Sequence, residues 1–171
     1  MEFIGLLFAC IVVVFGWFLW PASARIGAEW VPTPLEVVKR MLELADIQEG
    51  DTIIDLGSGD GRILVTAAKE YQARAIGIEA DPIRLTWSRC IIRYHGLSDR
   101  VKVLWGSFLK KDLGEATVVT VYQTQETNSK LKPKFERELK PGTRVVSHVF
   151  TFDGWEPRKA DRESQVYLYV V

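Results

Sequence analysis

The sequence predicts an α/β domain with a mostly parallel sheet, preceded by an uncharged N-terminal segment. Short apolar runs typical of buried strands alternate with stretches of helical periodicity, and this alternation is typical of parallel sheets covered by helices. A glycine-rich loop directly follows the first strand. The final apolar run follows a connection too short for a crossover helix, so we expect the last strand to pair antiparallel.

The uncharged segment covers residues 3–20 and is rich in Phe, Leu, Ile, Val and Trp. Its eighteen residues are just enough to cross the hydrocarbon core of a bilayer. A cleaved signal peptide and a buried core helix are the alternatives, and Ala22-Ser23-Ala24 does resemble a cleavage site. However, a signal peptide normally begins with Lys or Arg, whereas this chain begins with Glu2. A core helix normally has a polar face, so we expect a retained transmembrane helix.

The predicted organisation is a transmembrane helix at residues 3–20, a linker at 21–29 and one domain at 30–171. The nearest positive residues lie on the C-terminal side of the helix, which predicts a single-pass membrane protein whose domain faces the cytoplasm. These residues are Arg25, Lys39 and Arg40.

The composition limits the partners of the domain. The 22 acidic residues balance the 22 basic ones, so no strong overall field favours nucleic acid, and we expect no nucleic-acid partner. Cys10 lies in the apolar segment and Cys90 in a predicted helix. This pair indicates neither a disulfide framework nor a cysteine metal site, and we expect no metal.

The first helix of the domain has a clear start signal. Thr33 suits the N-cap position, Pro34 suits the first helical position, and Glu36 completes a capping box. The apolar residues that follow recur at helical spacing, which predicts a face packed on the sheet. These residues are Leu35, Val38, Met41, Leu42 and Ala45.

The remaining elements alternate along the chain. We predict strands at residues 52–55, 73–79, 101–105, 116–122, 144–149 and 165–171. We predict helices at residues 62–70 and at 82 to about 95, the latter capped by Asp81, and a further helical stretch that Pro133 interrupts. The helix after Asp81 carries one apolar stripe, which we predict to be core. The stripe consists of Ile83, Trp87, Cys90, Ile91 and Tyr94.

The glycine loop joins the first strand to a helix and carries an acid at the strand's end, Asp55. A second acid, Glu79, ends the next strand and is placed to accept hydrogen bonds from both hydroxyls of a ribose. This is the arrangement by which a Rossmann-like sheet holds an adenosine-containing ligand. Asp55 and Asp60 would repel a pyrophosphate but suit a ligand with an amino group and a positive centre. The pattern therefore favours S-adenosylmethionine over NAD.

The chain resembles the class I, seven-strand methyltransferases that use S-adenosylmethionine. More narrowly, it is similar to the archaeal broad-specificity protein lysine methyltransferases and their membrane-anchored relatives, which include mitochondrial lysine methyltransferases. The resemblance covers residues 30–171. The runs that carry it are Val31-Pro32-Thr33-Pro34, Asp55-Leu-Gly-Ser-Gly-Asp-Gly-Arg62, Leu131-Lys-Pro-Lys134, Glu138-Leu-Lys-Pro-Gly-Thr-Arg-Val-Val-Ser-His148 and Val166-Tyr-Leu-Tyr-Val170.

The motif and the resemblance together give a set of candidate site residues. The candidate cofactor-binding residues are Thr33, Asp55, Gly57, Ser58, Gly59, Gly61, Glu79, Ser107 and Phe108. Phe108 either stacks on the adenine or fills the core, and Ser107 stands where many relatives have Asp. The groups to consider from the end of the fourth strand onward are Tyr122, Gln123, Thr124 and Asn128, of which Tyr122 and Asn128 are the candidate catalytic residues. His148 is either a base or a structural histidine.

The resemblance implies a membrane-anchored enzyme that methylates the ε-amino groups of protein lysines. The Asp/Asn-Pro-Pro-Tyr signature of many amino-group methyltransferases is absent, so the motifs themselves do not identify the acceptor. Two alternatives therefore stay open. One is a methyltransferase that acts on a lipid or small apolar molecule, and the other is a non-catalytic module that binds the cofactor and recruits a membrane partner.

Overall fold

The fold is a seven-stranded sheet covered by helices on both faces, as described by a computed structural model for residues 30–171. The strands are β1 (Thr52–Leu56), β2 (Arg74–Glu79), β3 (Val101–Trp105), β4 (Val118–Val121), β5 (Arg144–His148), β6 (Lys159–Asp161) and β7 (Val166–Val170). The helices are α1 (Leu35–Leu44), α2 (Arg62–Glu70), α3 (Pro82–Tyr94) and α4 (Gln125–Glu138).

The strand order is β3-β2-β1-β4-β5-β7-β6. The first five strands pair in parallel, and β7 runs antiparallel to both β5 and β6. The predicted α/β fold with an antiparallel last strand is therefore confirmed. Strand β6 was not predicted, because its three residues are mostly exposed and show no apolar alternation.

The core lies on both faces of the sheet. Helices α1, α2 and α3 cover one face, where Met41 and Leu42 pack with Ile53 of β1. Helix α4 covers the other face beside a group of aromatic rings, Phe135, Phe152, Trp155 and Tyr169. These two layers fix the sheet, and the sheet in turn fixes the strand ends where the predicted site lies.

Helix α1 begins later than predicted. Its first residue is Leu35, and no side chain caps it, so the predicted capping box of Thr33 and Glu36 is wrong. Pro34 has φ −54° and ψ 144°, which is an extended conformation outside the helix. Leu35 is 58% exposed, whereas the rest of the predicted apolar face of α1 is buried.

Helix α4 runs through Pro133 without interruption, contrary to the prediction. Proline removes one helical hydrogen bond and normally kinks or ends a helix. Here Leu131 and Phe135 are fully buried on either side of the proline. Packing at both ends of the affected turn therefore holds the helix together.

The apolar stripe of α3 faces away from the core, which corrects the prediction that it is buried. Ile83 and Trp87 are each 61% exposed, Tyr94 is 85% exposed, and Cys90 is an exposed free thiol. The residues of α3 that are buried are Leu85, Ser88 and Ile92. The helix thus has a second apolar face, opposite the one that packs on the sheet.

The predicted transmembrane helix and linker, at residues 3–20 and 21–29, lie outside the described residues. Within residues 30–171, no helix is both long enough and apolar enough to cross a membrane.

Candidate active site

A cavity of about 330 Å³ opens at the carboxyl ends of β1, β2 and β4. This is the end of a parallel sheet at which α/β proteins bind ligands, and the volume lies in the range of small-molecule sites. The walls come from three strand ends, the glycine loop and the segment before α1. Its lining includes Trp30, Val31, Thr33, Asp55, Gly57, Ser58, Gly59, Asp60, Arg62, Glu79, Asp81, Arg84, Phe108, Tyr122, Gln123, Thr124 and Phe150.

The glycine loop adopts a backbone conformation that favours glycine. Gly57, Gly59 and Gly61 all have φ between 54° and 85°, a region that side chains other than glycine rarely adopt. Gly77 on the neighbouring strand β2 serves the loop in another way. A Cβ atom there would lie 2.5 Å from Ser58 Oγ and 2.6 Å from Leu64 Cδ1, so only glycine lets the loop and α2 pack this closely.

Glu79 holds the glycine loop in place from the end of β2. Its carboxylate is buried and accepts hydrogen bonds from two backbone groups, Gly59 N at 2.7 Å and Asp81 N at 2.8 Å. These bonds use different oxygens, so each oxygen keeps a lone pair for a ligand. The same carboxylate therefore holds the loop, holds the backbone of Asp81 just before α3, and faces the cavity.

Asp55 is the acid at the end of β1, and it is 4% exposed. The pKa of Asp55 is raised to about 7, chiefly by burial and in addition by the nearby carboxylates of Glu79 and Asp60. The hydroxyl of Thr120 on β4 opposes this rise by donating a hydrogen bond of 2.8 Å to Asp55 Oδ1. A positively charged group placed beside Asp55 would favour its ionised form.

The negative charge of Asp60, the acid within the loop, is partly compensated by a neighbouring arginine. Its carboxylate forms an ion pair with Arg62, with Nη2 and Oδ2 2.6 Å apart. Arg62 also donates to the backbone carbonyl of Thr33 at 2.8 Å, which ties the segment before α1 to the loop. Asp60 therefore contributes less negative charge to the cavity than the sequence indicates, and Asp55 and Glu79 contribute the rest.

Trp30, the first described residue, lies before α1 and covers part of the glycine loop. A Cβ atom on Gly59 would lie 2.7 Å from Trp30 Nε1, so the indole lies directly against the loop. The guanidinium of Arg84 on α3 sits 5.2 Å from the centre of the Trp30 ring, in a cation–π contact. These residues close one side of the cavity.

The opposite end of the cavity is built from the segments after β4 and β5. Tyr122 lines the cavity, and its ring lies 4.4 Å from that of His148. His148 is buried, burial lowers its pKa, and its Nδ1 has no hydrogen-bond partner among the described residues. Behind them, Asn128 Nδ2 donates to the carbonyls of Phe150 and Thr151 at 3.2 and 3.3 Å.

Known proteins with similar sequences share this architecture. The family model described as "ANTKMT methyltransferase domain" matches residues 55–159, which is more than half of the chain. The chain belongs to the ANTKMT methyltransferase family. A protein-lysine N-methyltransferase from Saccharolobus islandicus is 44% identical over 149 residues, which cover 83% of this chain and 92% of that protein.

More distant relatives of this ANTKMT protein are longer. A human lysine N-methyltransferase that is named after a component of ATP synthase is 28% identical over 140 residues. The match covers 82% of this chain but only 59% of the human protein. Among solved structures, an RNA methyltransferase from Salinibacter ruber with bound S-adenosyl-L-homocysteine has a TM-score of 0.81 and 45% identity. That match covers 82% of this chain and 94% of the other.

The ANTKMT methyltransferase described here is an S-adenosylmethionine-dependent enzyme of class I fold. Its cavity suits this cofactor, because Gly57 leaves backbone exposed at the start of the glycine loop and Glu79 has acceptor capacity for ribose hydroxyls. Asp55 supplies a carboxylate for a cationic end of the ligand. Phe108 offers an apolar wall.

Most of the predicted site residues of this ANTKMT protein come together at the cavity. Thr33, Asp55, Gly57, Ser58, Gly59, Glu79, Phe108 and Tyr122 line it. Three others lie outside the lining. Gly61 packs against Ser88 of α3, Ser107 accepts a hydrogen bond from Leu109 N, and Asn128 supports Phe150 from behind.

The lining residues that sequence reasoning missed include Trp30, Arg84 and Phe150. Trp30 could have been included in the predicted site, since it directly precedes the Val31-Pro32-Thr33-Pro34 run that carries part of the family resemblance. Arg84 lies in the first turn of α3, close to Glu79 along the chain, but nothing in its local pattern separates it from an ordinary surface arginine. Phe150 follows β5 in a stretch without periodicity. Among residues 30–171, no group of three or more His, Cys, Asp or Glu residues could hold a metal ion.

Proposed function

We propose that this chain is a protein-lysine N-methyltransferase, which moves a methyl group from S-adenosylmethionine to the ε-amino group of lysine side chains. One observation carries the proposal above the others. The protein-lysine N-methyltransferase of Saccharolobus islandicus is 44% identical, and the match spans 92% of its length. No large domain of that relative is therefore missing from the comparison.

The cavity offers the environment that this reaction requires. Bound S-adenosylmethionine supplies a methyl group on a positively charged sulfur, which becomes a neutral thioether after transfer. The amine must arrive without its proton, although a lysine side chain has an ordinary pKa of about 10.4. Phe150 and the ring of Tyr122 line the proposed acceptor end, and a lysine side chain packed between them would lose part of its contact with water. Desolvation favours the neutral amine, which is the nucleophile.

His148 is the group placed to receive the proton. Burial lowers its pKa, so the imidazole is neutral at physiological pH and has a basic nitrogen available. His148 does not itself line the cavity, and its ring lies against that of Tyr122, which does. Asn128 acts as a positioning residue, because its amide holds the backbone of residues 150 and 151 against the acceptor end.

We further propose that residues 3–20 anchor the enzyme in a membrane with the domain on the cytoplasmic side. The length and apolar composition of that segment support a single span, and the positive residues on its C-terminal side support the orientation. Such an anchor would restrict the enzyme to lysines of membrane proteins close to the bilayer surface. The human relative is named after a component of ATP synthase, and that name is compatible with an acceptor of this kind.

The test offers four acceptors to the full chain in detergent, with radiolabelled S-adenosylmethionine. They are membrane proteins, the same proteins with their lysines acetylated, total RNA, and a lipid extract. Label in the untreated proteins alone would support the lysine enzyme. Label in RNA would assign the acceptor named for the Salinibacter ruber structure, and label in lipid would assign an apolar acceptor. No label anywhere, with cofactor binding intact, would favour a binding module.

Two variants test the roles at the acceptor end. His148→Gln keeps a polar side chain of similar size but cannot take up a proton near neutral pH. We expect it to lower kcat and to remove the acid limb of the pH profile, while KM for the cofactor stays within about twofold. Ser129→Ala, on the exposed side of α4, is the matched control and should leave both parameters unchanged.

A further inference from the structure

The exposed apolar residues of this protein are concentrated in one region. Among residues 30–171, ten large hydrophobic side chains are exposed, and all but Val170 lie in two segments, residues 30–35 and 83–109. Single exposed apolar residues are ordinary on a protein surface, whereas a contiguous group of them marks an interaction site. The concentration therefore requires a partner.

The centre of this region is the outer face of α3. Ile83, Trp87, Cys90 and Tyr94 follow one another at spacings of four, three and four residues, which places them in one row along the helix. The row is about 16 Å long at the α-helical rise per residue. Leu85 and Ile92 pack on the sheet from the other side of the helix. The outer row is thus not needed for the core.

Two further indoles extend this row to the mouth of the cavity. Trp105, at the end of β3, is 64% exposed and donates through Nε1 to the carbonyl of Ala80, just before α3. Trp30 is 44% exposed, lines the cavity and contacts Arg84 in the first turn of α3. We refer to these six residues together as the aromatic surface: Trp30, Ile83, Trp87, Cys90, Tyr94 and Trp105.

The segment that carries most of the aromatic surface is strongly basic. Residues 82–111 contain seven Lys and Arg residues and one acidic residue, Asp99, which gives a net charge of +6. The whole chain has a net charge of zero, so the rest of the molecule carries the compensating negative charge. Arg89, Arg93, Arg100, Lys102 and Lys110 are exposed in this segment. An excess of positive charge is therefore concentrated in the segment that contains α3 and β3.

We propose that the aromatic surface docks onto the interface of an anionic lipid membrane and turns the mouth of the cavity toward the bilayer. Tryptophan and tyrosine side chains favour the headgroup region, because their rings are apolar and their polar atoms remain near water. The surrounding arginines and lysines face the negative surface potential of such a membrane. This inference rests on the proposed membrane attachment, which brings the aromatic surface close to lipid. It goes beyond that attachment because it gives the active site an orientation relative to the bilayer.

The position of the uncharged segment agrees with this orientation. Residues 3–20 are separated from Trp30 by only nine residues, which span at most roughly 32 Å when fully extended. Trp30 itself belongs to the cavity wall and to the aromatic surface. A chain anchored through residues 3–20 thus keeps Trp30, and the side of the domain that carries it, within roughly 32 Å of the bilayer surface.

Other occupants fit the observations less well. A second copy of the chain meeting this surface face to face would bring two segments of charge +6 together, which is repulsive. RNA bound along the row would need free guanidinium groups on α3, and two of the three arginines of that helix are engaged. Arg84 is engaged by Asp81 and Trp30, and Arg89 donates to the carbonyl of Val103 at 2.7 Å. An RNA backbone would also leave the aliphatic side chain of Ile83 in water.

Cys90 provides a direct test, because it is an exposed thiol in the middle of the aromatic surface. The full chain carrying Cys10→Ser is labelled at Cys90 with a dye whose emission shifts to the blue in apolar surroundings. It is reconstituted with vesicles of phosphatidylcholine alone or with one third phosphatidylserine. We expect a blue shift that is larger with phosphatidylserine, and loss of most of the intensity when the acyl chains carry bromine.

The matched control places the dye on β6, at the opposite side of the sheet, through Lys159→Cys in a chain with both native cysteines changed to serine. We expect no shift there. In the Cys90-labelled chain, Trp87→Glu with Tyr94→Glu should abolish the shift without changing binding of S-adenosylhomocysteine.

The outcomes separate the docking from the proposed function. A lipid-dependent shift at Cys90 and none at residue 159 supports the proposal. If the chain sediments with vesicles but the Cys90 dye reports water, docking is overturned and attachment through residues 3–20 stands. If the chain does not sediment with vesicles, both are overturned, while methyl transfer in detergent still tests the lysine activity. A shift produced by single-stranded RNA and not by vesicles would assign the surface to nucleic acid.

Discussion

Glu79 shows how one side chain can both build and use a binding site. Its two oxygens accept backbone hydrogen bonds from the glycine loop and from the start of α3, and it faces the cavity. The sequence predicted only a contact with the ligand, because an acid at the end of a second strand is typical of ribose binding. The contacts within the protein depend on the folded path of the loop, which local sequence does not reveal.

Replacing Glu79 with Ala should therefore weaken the cofactor site through the protein as well as through the ligand. A hydrogen bond to a charged group contributes about 1.5–3 kcal/mol, so we expect the Kd of S-adenosylhomocysteine to rise roughly tenfold to hundredfold. Calorimetric titration measures this change. Glu115→Ala removes the same charge from an exposed ion pair with Arg74 and serves as the control. Equal affinities for the two variants would contradict the assigned role.

The raised pKa of Asp55 predicts that cofactor binding depends on pH. With a pKa of about 7, the carboxyl is mostly protonated at pH 6 and mostly ionised at pH 7.5 in the free protein. If the ammonium of S-adenosylhomocysteine requires the ionised form, affinity should increase roughly tenfold over this interval, with proton release on binding below pH 7. Calorimetry in two buffers of different ionisation enthalpy detects both effects.

Two substitutions identify Asp55 as the group that titrates. Asp55→Asn should remove the pH-dependent step. Thr120→Val removes the hydrogen bond that stabilises the carboxylate, so it should raise the pKa of Asp55 and move the step to higher pH. An unchanged pH profile in both variants would show that another group is responsible.

Among the larger elements, the contact between β2 and the glycine loop depends on Gly77. An added methyl group would lie within 2.7 Å of Ser58 and Leu64 atoms, and both neighbours are buried. We expect Gly77→Ala to lower the free energy of unfolding by about 1–3 kcal/mol and to weaken cofactor binding by displacing the loop. Urea unfolding and titration of S-adenosylhomocysteine measure the two effects.

Gly114→Ala is the control for Gly77→Ala. A Cβ atom there would first meet a flexible carboxylate oxygen of Asp112, at 3.3 Å, and the residue lies outside the cavity lining. It should therefore leave cofactor affinity unchanged. A loss of affinity in Gly114→Ala as large as that in Gly77→Ala would indicate a general loss of stability instead of a local displacement.

Helix α3 illustrates a limit of periodicity as a predictor. The spacing of Ile83, Trp87 and Tyr94 correctly indicates one face of a helix, but periodicity does not say whether that face meets the sheet or the solvent. Helix α3 has two apolar faces, and the smaller one, with Leu85 and Ile92, packs on the sheet. The prediction chose the wrong face, and the larger apolar residues of α3 lie on the outside.

Across the molecule, two kinds of feature could be predicted from the sequence: the repeating pattern of strands and helices, and a loop whose backbone conformation favours glycine. The alternation of strands and helices predicted a parallel sheet, and the glycine loop between acids predicted an adenosine-binding site. The sequence did not predict β6, whose three residues pair with β7 because the preceding turn brings them there. It also overestimated the charge of the loop, because the pairing of Asp60 with Arg62 depends on side-chain geometry.

Cofactor binding should stabilise the whole domain, because the cavity brings together residues that lie between Trp30 and Phe150 along the chain. S-adenosylhomocysteine at one hundred times its Kd should add about 2.7 kcal/mol to the free energy of unfolding. For a protein of this size, that corresponds to an increase in Tm of roughly 5–10 °C. Differential scanning fluorimetry measures this shift. Glu79→Ala should show a much smaller increase at the same concentration, and the absence of any increase in the unsubstituted chain would contradict the site.

The edge strands of the sheet are β3 and β6, and neither is well suited to pair with a strand of another chain. Strand β6 has only three residues, and Arg40 forms an ion pair with its Asp161. At β3, the guanidinium of Arg89 donates a hydrogen bond to the carbonyl of Val103, and Lys102 adds a positive charge to the strand. Short strands and charged borders suppress strand addition and the aggregation that follows. With the proposed membrane anchor, this protection would matter most, because copies held on one membrane meet far more often than copies in solution.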